Sequence, residues 1–305
     1  MKFICAQPAI DYYTWQVEVM INNFIQQGVN ANSIEIVCSY TGAIPQKWRK
    51  LADTYNNVRF FFYKDERQRA SYISSIRPHV LHQHWLHHPE LANETIFYHD
   101  CDILLSKPVD FNNLLEDDIC YVSDTVSYIG AEYVRSKGEQ YLDLMVSIVG
   151  VDKTFVIGNE KNSGGAQYII KNVTAEFWSK VYHDSEKLWR MVNDMIKREK
   201  PPHALQIWCA DMWAVLWNLW FFDKKVKVAE EMSFSWGTSN ISDWDKHKIY
   251  HNAGVTAERK DLFFKGAYQS KTPYDIDLST INDKYCVYNY AKEILNTSLI
   301  TCLTK

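Results

Sequence analysis

Thr95-Ile96-Phe97-Tyr98-His99-Asp100-Cys101-Asp102-Ile103-Leu104-Leu105 brings an apolar, β-prone run into an Asp-x-Asp and leaves it by a second apolar run. Side chains alternate along an extended chain, so Asp100 and Asp102 would leave on one side and Cys101 on the other. Two carboxylates converging at a strand end repel each other unless a cation sits between them. A hard divalent ion meets that need, because its natural ligands are oxygens. The other reading is a solvated acidic turn. The rest of the chain has to decide.

Upstream, short apolar runs alternate with helical patterns. Residues 3–6 read as a strand closing at Gln7-Pro8. Over 12–27, Val17, Met20, Ile21 and Phe24 recur at i, i+3, i+4 and i+7, with Gly28 where a helix would stop. A strand at 34–38, a helix at 45–55, a strand at 58–63 and a helical stretch to about residue 86 follow. Such alternation implies α/β architecture, a mainly parallel sheet covered by helices on both faces. Ligands in open α/β sheets bind beyond the carboxyl ends of strands, which is where the acidic pair falls.

Downstream, a strand is expected at 119–122 and a helix over 128–149. A polar, glycine-containing loop at 159–165 leads into a strand at 166–170. Helices are expected at 175–198, ended by Lys200-Pro201-Pro202, and at 204–222. Short strands near Val226 and Ile249 precede a last helix over 283–295. No repeat or linker interrupts the chain. The economical division is one domain over 1–270 with a small helical extension, 271–305.

With 47% hydrophobic and 23% charged residues, the chain has the composition of an ordinary globular protein. Its 11 Trp, 19 Tyr and 14 Phe suit carbohydrate or base stacking without proving either. A net charge of −4 gives no global attraction to nucleic acid. Seven scattered cysteines without a CxxC pair read as free thiols in a reducing, cytoplasmic setting. No signal peptide opens the sequence. The most apolar stretch, 204–222, carries Asp211, which at a bilayer centre would cost about 2.5–3.5 kcal/mol, so no membrane span is expected.

Three further stretches bear on chemistry. Lys248-Ile249-Tyr250-His251-Asn252-Ala253-Gly254 is an apolar strand ending in a histidine. Returned to the edge that holds Asp100 and Asp102, His251 would complete a set suited to Mn²⁺, or to Mg²⁺ somewhat less well. Otherwise it is a hydrogen-bonded strand-end residue. Lys265-Gly266 and Lys271 lie beyond it, the lysines either offsetting diphosphate charge or simply solvated. In Asn162-Ser163-Gly164-Gly165-Ala166-Gln167-Tyr168, paired glycines admit a ligand close to the backbone, and Asn162 and Gln167 offer donors and acceptors. Gly-Gly before a strand is also an ordinary turn. The spacing fits neither a Walker loop nor a dinucleotide fingerprint.

Asp211, within Trp208-Cys209-Ala210-Asp211-Met212-Trp213, must be paired or face a cleft. It is the catalytic candidate, orienting a donor sugar or serving as base, against a plain role as partner of a buried Trp N–H or an Arg. Gln7 and Tyr12 stand where a base would pair or stack. Arg69 would touch a base or phosphate, or else start a solvated helix. The histidines at 79, 82, 84, 87 and 88 include the i,i+4 pair His84 and His88, but no zinc-ligand set accompanies them.

Taken in order, these features resemble a GT-A glycosyltransferase. The closer likeness is to the hydroxyproline arabinosyltransferase and peptidyl-serine galactosyltransferase group and to similar viral and algal sequences. It is carried by Tyr12-Tyr13-Thr14-Trp15-Gln16, His84-Trp85-Leu86, Asp100-Cys101-Asp102, Gly164-Gly165 and Ile249-Tyr250-His251. The resemblance implies a Rossmann-like sheet, with Mn²⁺ held at Asp100, Asp102 and His251. It also implies a donor sugar facing the glycine loop and an acidic residue on the helix of Asp211. Plant members carry an N-terminal membrane anchor, and none is expected in this sequence.

The activity expected is transfer of a sugar from a nucleotide diphosphate, UDP being the common case, to a hydroxyl on a glycan or peptide. The likeness favours a retaining course. The second choice is a hydroxylated base in viral DNA as acceptor. A phosphohydrolase using Asp100 as nucleophile is disfavoured, since such enzymes place Thr or Val where Leu104 stands. A lectin-like role rests on the aromatic content alone.

Overall fold

β-Branched and cysteine side chains fill the first strands so fully that neither face is left for water. β1, Lys2–Pro8, and β2, Ile34–Tyr40, are buried along nearly their whole length. They pair in parallel, with Phe3 opposite Ile34 and Gln7 opposite Cys38. Parallel pairing needs a crossover and cover on both faces. The helix Asp11–Gln26 supplies the crossover, and left-handed Gly28 (φ +87°) lets the chain leave it. The computed structural model describes residues 1–303.

The remaining strands are β3 (Arg59–Lys64), β4 (Thr95–His99), β5 (Ile103–Leu105), β6 (Cys120–Asp124), β7 (Gly164–Lys171), β8 (Val226–Val228), β9 (Phe234–Trp236) and β10 (Ile249–His251). The chain divides into two compact units. One comprises Met1–Lys2, Tyr63–Tyr98 and Asn112–Met232, the other Phe3–Phe62, His99–Phe111 and Ser233–Lys305.

In the first unit β4, β7, β6 and β8 lie in that order. β6 and β8 are parallel, and β7 runs against both β4 and β6, so one reversed strand sits among three of common direction. The helix Ala210–Phe221 packs on β7, and the helix Ala175–Glu199 packs on that helix, burying Trp178, Val181, Leu188 and Val192. Lys171, at the end of β7, is almost wholly buried. Its ammonium donates to the carbonyls of Leu114 and Asp117 and to the Asp117 carboxylate, 3.0 Å away. The Tyr121 hydroxyl, with help from Lys171, holds the Asp117 carboxyl down at about 2. A depressed carboxyl stabilises the fold above its ordinary value and ceases to do so as pH falls through the folded one. Asp117→Asn should therefore lower the melting midpoint at pH 7, with the deficit closing between pH 4 and pH 2, as scanning fluorimetry at stepped pH would show.

In the second unit β5, β10 and β9 form a separate three-stranded sheet. Its outer strand β5 is capped by one side chain. Buried Asn23 accepts from the Leu105 N–H at 2.7 Å and donates to the Leu105 carbonyl at 3.1 Å, replacing a missing strand partner. Beneath lies an aromatic core of Trp15, Tyr250, Phe263 and Tyr290. The helix Val287–Leu303 brings Val287, Tyr290 and Ile294 into it. The core thus draws Val287, Tyr290 and Ile294 from the chain beyond residue 271.

Several elements differ from the expected pattern. The helix over 128–149 is three, Val126–Ile129, Ala131–Lys137 and Glu139–Val149, because Gly130 and Gly138 interrupt it and Gly138 sits at φ +142°. The tryptophan-rich helix starts at Ala210, behind a 3-10 turn. The last helix is Val287–Leu303, later than the stretch read for it. The stretch 95–105 is no continuous strand either. β4 ends at His99, residues 100–102 turn, and β5 begins another sheet.

Candidate metal and donor site

The turn at 100–102 gains its histidine through strand register. β5 and β10 are antiparallel with Ile103 opposite His251, so the imidazole arrives beside the residue that precedes β5. The Asn252 N–H continues the ladder by donating to the Asp102 carbonyl at 3.0 Å. The His251 Nε2 lies 3.4 Å from Asp102 Oδ1 and 3.6 Å from Asp100 Oδ2. One ligand atom from each of the three residues falls within 4.8 Å of the others. Ligands bound at roughly 2.0–2.6 Å to one ion stand roughly 2.8–3.7 Å apart when adjacent, so the observed spacings fit a hard divalent cation. Two carboxylates and an imidazole are also the right chemistry for Mn²⁺.

A tryptophan and a lysine shape the cluster. β9 runs parallel to β10 with Trp236 opposite His251, and the two rings stack at 5.9 Å and 14°. That contact fixes the imidazole plane. Lys265 donates to Asp102 Oδ2. Burial resists charge on Asp102, but Lys265 and then His251 outweigh it and hold its carboxyl well below the usual range. Burial likewise works against the Lys265 ammonium, and the Asp102 charge reverses this and raises it.

His99 is buried and pushed down to about 4 by that burial. Its Nδ1 lies 2.8 Å from the Asp100 carbonyl, and since a carbonyl accepts, Nδ1 carries the proton. Cys101, between the acids, is buried, and its thiol is pushed well up, first by burial and then by the Asp102 charge.

Besides Lys265, the same unit holds two further candidates for donor contact, Tyr12 and Gln7. Tyr12 opens the first helix; burial raises its hydroxyl most, while Lys265 lowers it and Asp102 raises it, which places it in the field of the cluster. Gln7 is buried near the end of β1. Its Nε2 donates to Cys38 Sγ at 3.2 Å, while its Oε1 is buried without a partner among the described residues.

The other candidates belong to the other unit. Asn162 ends a 3-10 turn and bonds weakly to Asn159 at 3.4 Å. Gly164 and Gly165 are strand residues, paired with Asp124 and Ser123. A Cβ on Gly164 would meet the Ser123 carbonyl and the Val122 side chain at 2.4 Å, so strand packing alone already demands glycine there. Left-handed Ala166 (φ +67°) lies where the β6–β7 register shifts. Gln167 is buried and accepts from the Ser123 hydroxyl at 2.7 Å. Arg69 is exposed in a bend with left-handed backbone.

Asp211 is 7% exposed and has found an arginine: Arg77 Nη2 and the Tyr72 hydroxyl both donate to it at 2.5 Å. Tyr72 stacks on Trp189 at 5.0 Å. Tyr72→Phe removes one bond to a buried charge and should cost about 1.5–3 kcal/mol in urea unfolding. The histidine cluster also has ordinary partners, His84 with the Tyr63 hydroxyl at 2.9 Å and His88 with Glu90 at 3.2 Å.

Trp236, His99 and Asn252 were not foreseen. Phe234-Ser235-Trp236 is too short to declare a strand by itself, and only its register with β10 gives Trp236 meaning.

Neither a family profile nor a curated protein matches this chain. Solved structures do. The bifunctional glycosyltransferase WbbM is similar at TM-score 0.50 and 11% identity, over 98% of this chain and 49% of that one. The chain thus spans about half of WbbM's length. The galactosyltransferase LgtC, solved with donor and acceptor sugar analogues, aligns at TM-score 0.44 and 11% identity, over 98% and 96%. The glycosyltransferase GlyE of Streptococcus pneumoniae TIGR4 aligns at 0.41 and 11%, over 96% and 64%. What the WbbM likeness establishes is the fold, α/β of the GT-A kind.

Proposed function

We propose that the protein is a metal-dependent glycosyltransferase, moving a sugar from a UDP-linked donor to a hydroxyl of a glycan or peptide. The observation that carries this is the convergence of Asp100, Asp102 and His251 from two separated segments onto one point. Such a trio would hold Mn²⁺, which when bound neutralises charge developing on a diphosphate leaving group. Lys265 adds a positive group at the same place. Trp236 holds the His251 ring in its plane.

Tyr12 and the unpartnered Gln7 Oε1 are the contacts proposed for the base. For Asn162, Gly164, Gly165, Gln167 and Arg69 the proposal is the donor sugar and phosphates, and for Asp211 it is orientation of the transferred sugar. The Arg77 ion pair suits a fixed, charged Asp211 better than a shuttling base, which favours the retaining course.

The test is a thermal-shift panel of UDP- and GDP-sugars with Mn²⁺ or with EDTA, followed by mass spectrometry of acceptor mixtures. A native-state ligand at a hundredfold excess over its Kd stabilises by about 2.7 kcal/mol. One donor should raise the midpoint with Mn²⁺ and not with EDTA, and the same donor should label an acceptor hydroxyl. A stabilisation indifferent to EDTA would overturn the proposal.

A further inference from the structure

The first helix shows different faces to two places within one unit. Tyr12 lies in the field of Asp102 and Lys265. Residues 11, 14, 15 and 18, spaced as one helix face, line a separate cavity of about 320 Å³. Its other walls are the helix Gln46–Thr54 and the segment 271–274. That volume is within the range of small-molecule sites.

The charges around it are unevenly used. Asp11 is taken by Lys47 at 2.6 Å. Glu18 accepts from the hydroxyls of Tyr274 and Tyr55. Both acids of the lining are therefore engaged. Two ammonium groups are not: among the described residues no carboxylate pairs with Lys50 or Lys271, and Lys271 rests over the Tyr268 ring at 5.2 Å. The lining between them is mostly apolar, with Leu51 in the wall and wholly buried Trp15 behind it. Lys50 and Lys271 are both exposed, so their ammonium groups are available to an anion at the cavity. A mostly apolar cavity bordered by two such cations calls for a small molecule with an apolar body and one anionic group.

We propose that this cavity binds a small amphipathic acid, separately from the metal trio, and acts as an effector site. The connection is covalent and short. The 3-10 turn Lys265–Tyr268 begins with the lysine that pairs with Asp102 and ends with the tyrosine that packs on Trp15 at 6.4 Å and on Phe263 at 5.3 Å. The chain then runs directly into Lys271 and Tyr274 in the cavity wall. An acid held between Thr14, Leu51 and Lys271 fastens the segment 265–274 to two helices, and with it the position of Lys265. The binding claim does not depend on the proposed transferase activity.

The full chain is titrated calorimetrically with indole-3-acetate as probe and with the neutral indole-3-ethanol as control. The expected result is 1:1 binding of the acid, at least about tenfold weaker binding of the alcohol, and a similar loss in the Lys50→Ala/Lys271→Ala double variant. Asp100→Asn should bind the acid like the wild type, which separates this cavity from the donor site. Hydrogen exchange over 265–274 should slow when the acid is bound. No binding, equal affinity for the alcohol, or a double variant that binds normally would overturn the site. Unchanged exchange over 265–274 would overturn its role as an effector.

Discussion

Asp100→Asn should abolish sugar transfer while leaving the melting midpoint where it was. Asp100 is the more exposed acid of the pair, its side chain 29% accessible, and the substitution keeps its shape. What is lost is a charged ligand at the point where His251 and Asp102 also aim. Removing a single preorganised group that stabilises transition-state charge typically costs 10²–10³-fold, and weakened metal occupancy adds to this. A fall of about three orders of magnitude in turnover is expected, with the Mn²⁺ affinity measured in parallel by calorimetry. Wild-type turnover by this variant, or by the wild type in EDTA, would remove the basis of the proposed function.

Asp102 should behave differently, although it is only two residues away. Its side chain is 6% accessible and is the counter-charge of Lys265. Asp102→Ala leaves that ammonium partly buried without compensation, and breaking such a pair costs about 3–5 kcal/mol. Lys265→Met in the same chain should recover most of the loss, since an apolar side chain needs no counter-charge. Urea unfolding of the two single variants and the double gives the coupling directly. The pH dependence has a fixed sign. Because the folded carboxyl is held below its ordinary value, its contribution is present above about pH 4 and fades on acidification, and Asp102→Ala should lose that dependence. Equal stability of Asp102→Ala and wild type at pH 7 would show that the Lys265 pair carries no weight.

The alternation of strands and helices in the first hundred residues was legible because each element is long, and buried or amphipathic along its length. The Asp-x-Asp and the distant histidine were legible as chemistry, though not as geometry. Period-two reasoning put the acids on one face of a strand, whereas they occupy a turn between two sheets and meet through the β5–β10 register. That register depends on pairing residues about 150 positions apart, which no local pattern contains. Trp236 escaped for the same reason. At Gly164 the space beside the backbone is taken by Ser123 and Val122, and at Gly165 by the Tyr168 hydroxyl and Met212, neighbours that only the folded chain brings together. The pairing of Asp211 with an arginine was foreseen as the plainer alternative; that the arginine is Arg77, far upstream, could not be.

The thiol between the two acids has a bearing on metal selectivity. Cys101 is buried, and its thiol is kept protonated by that burial and by its acidic neighbour. A soft ion such as Cd²⁺ or Hg²⁺ would have to displace that proton from a buried sulfur. The proposed metal site therefore offers an incoming ion its carboxylate oxygens and the imidazole of His251, and not this thiol.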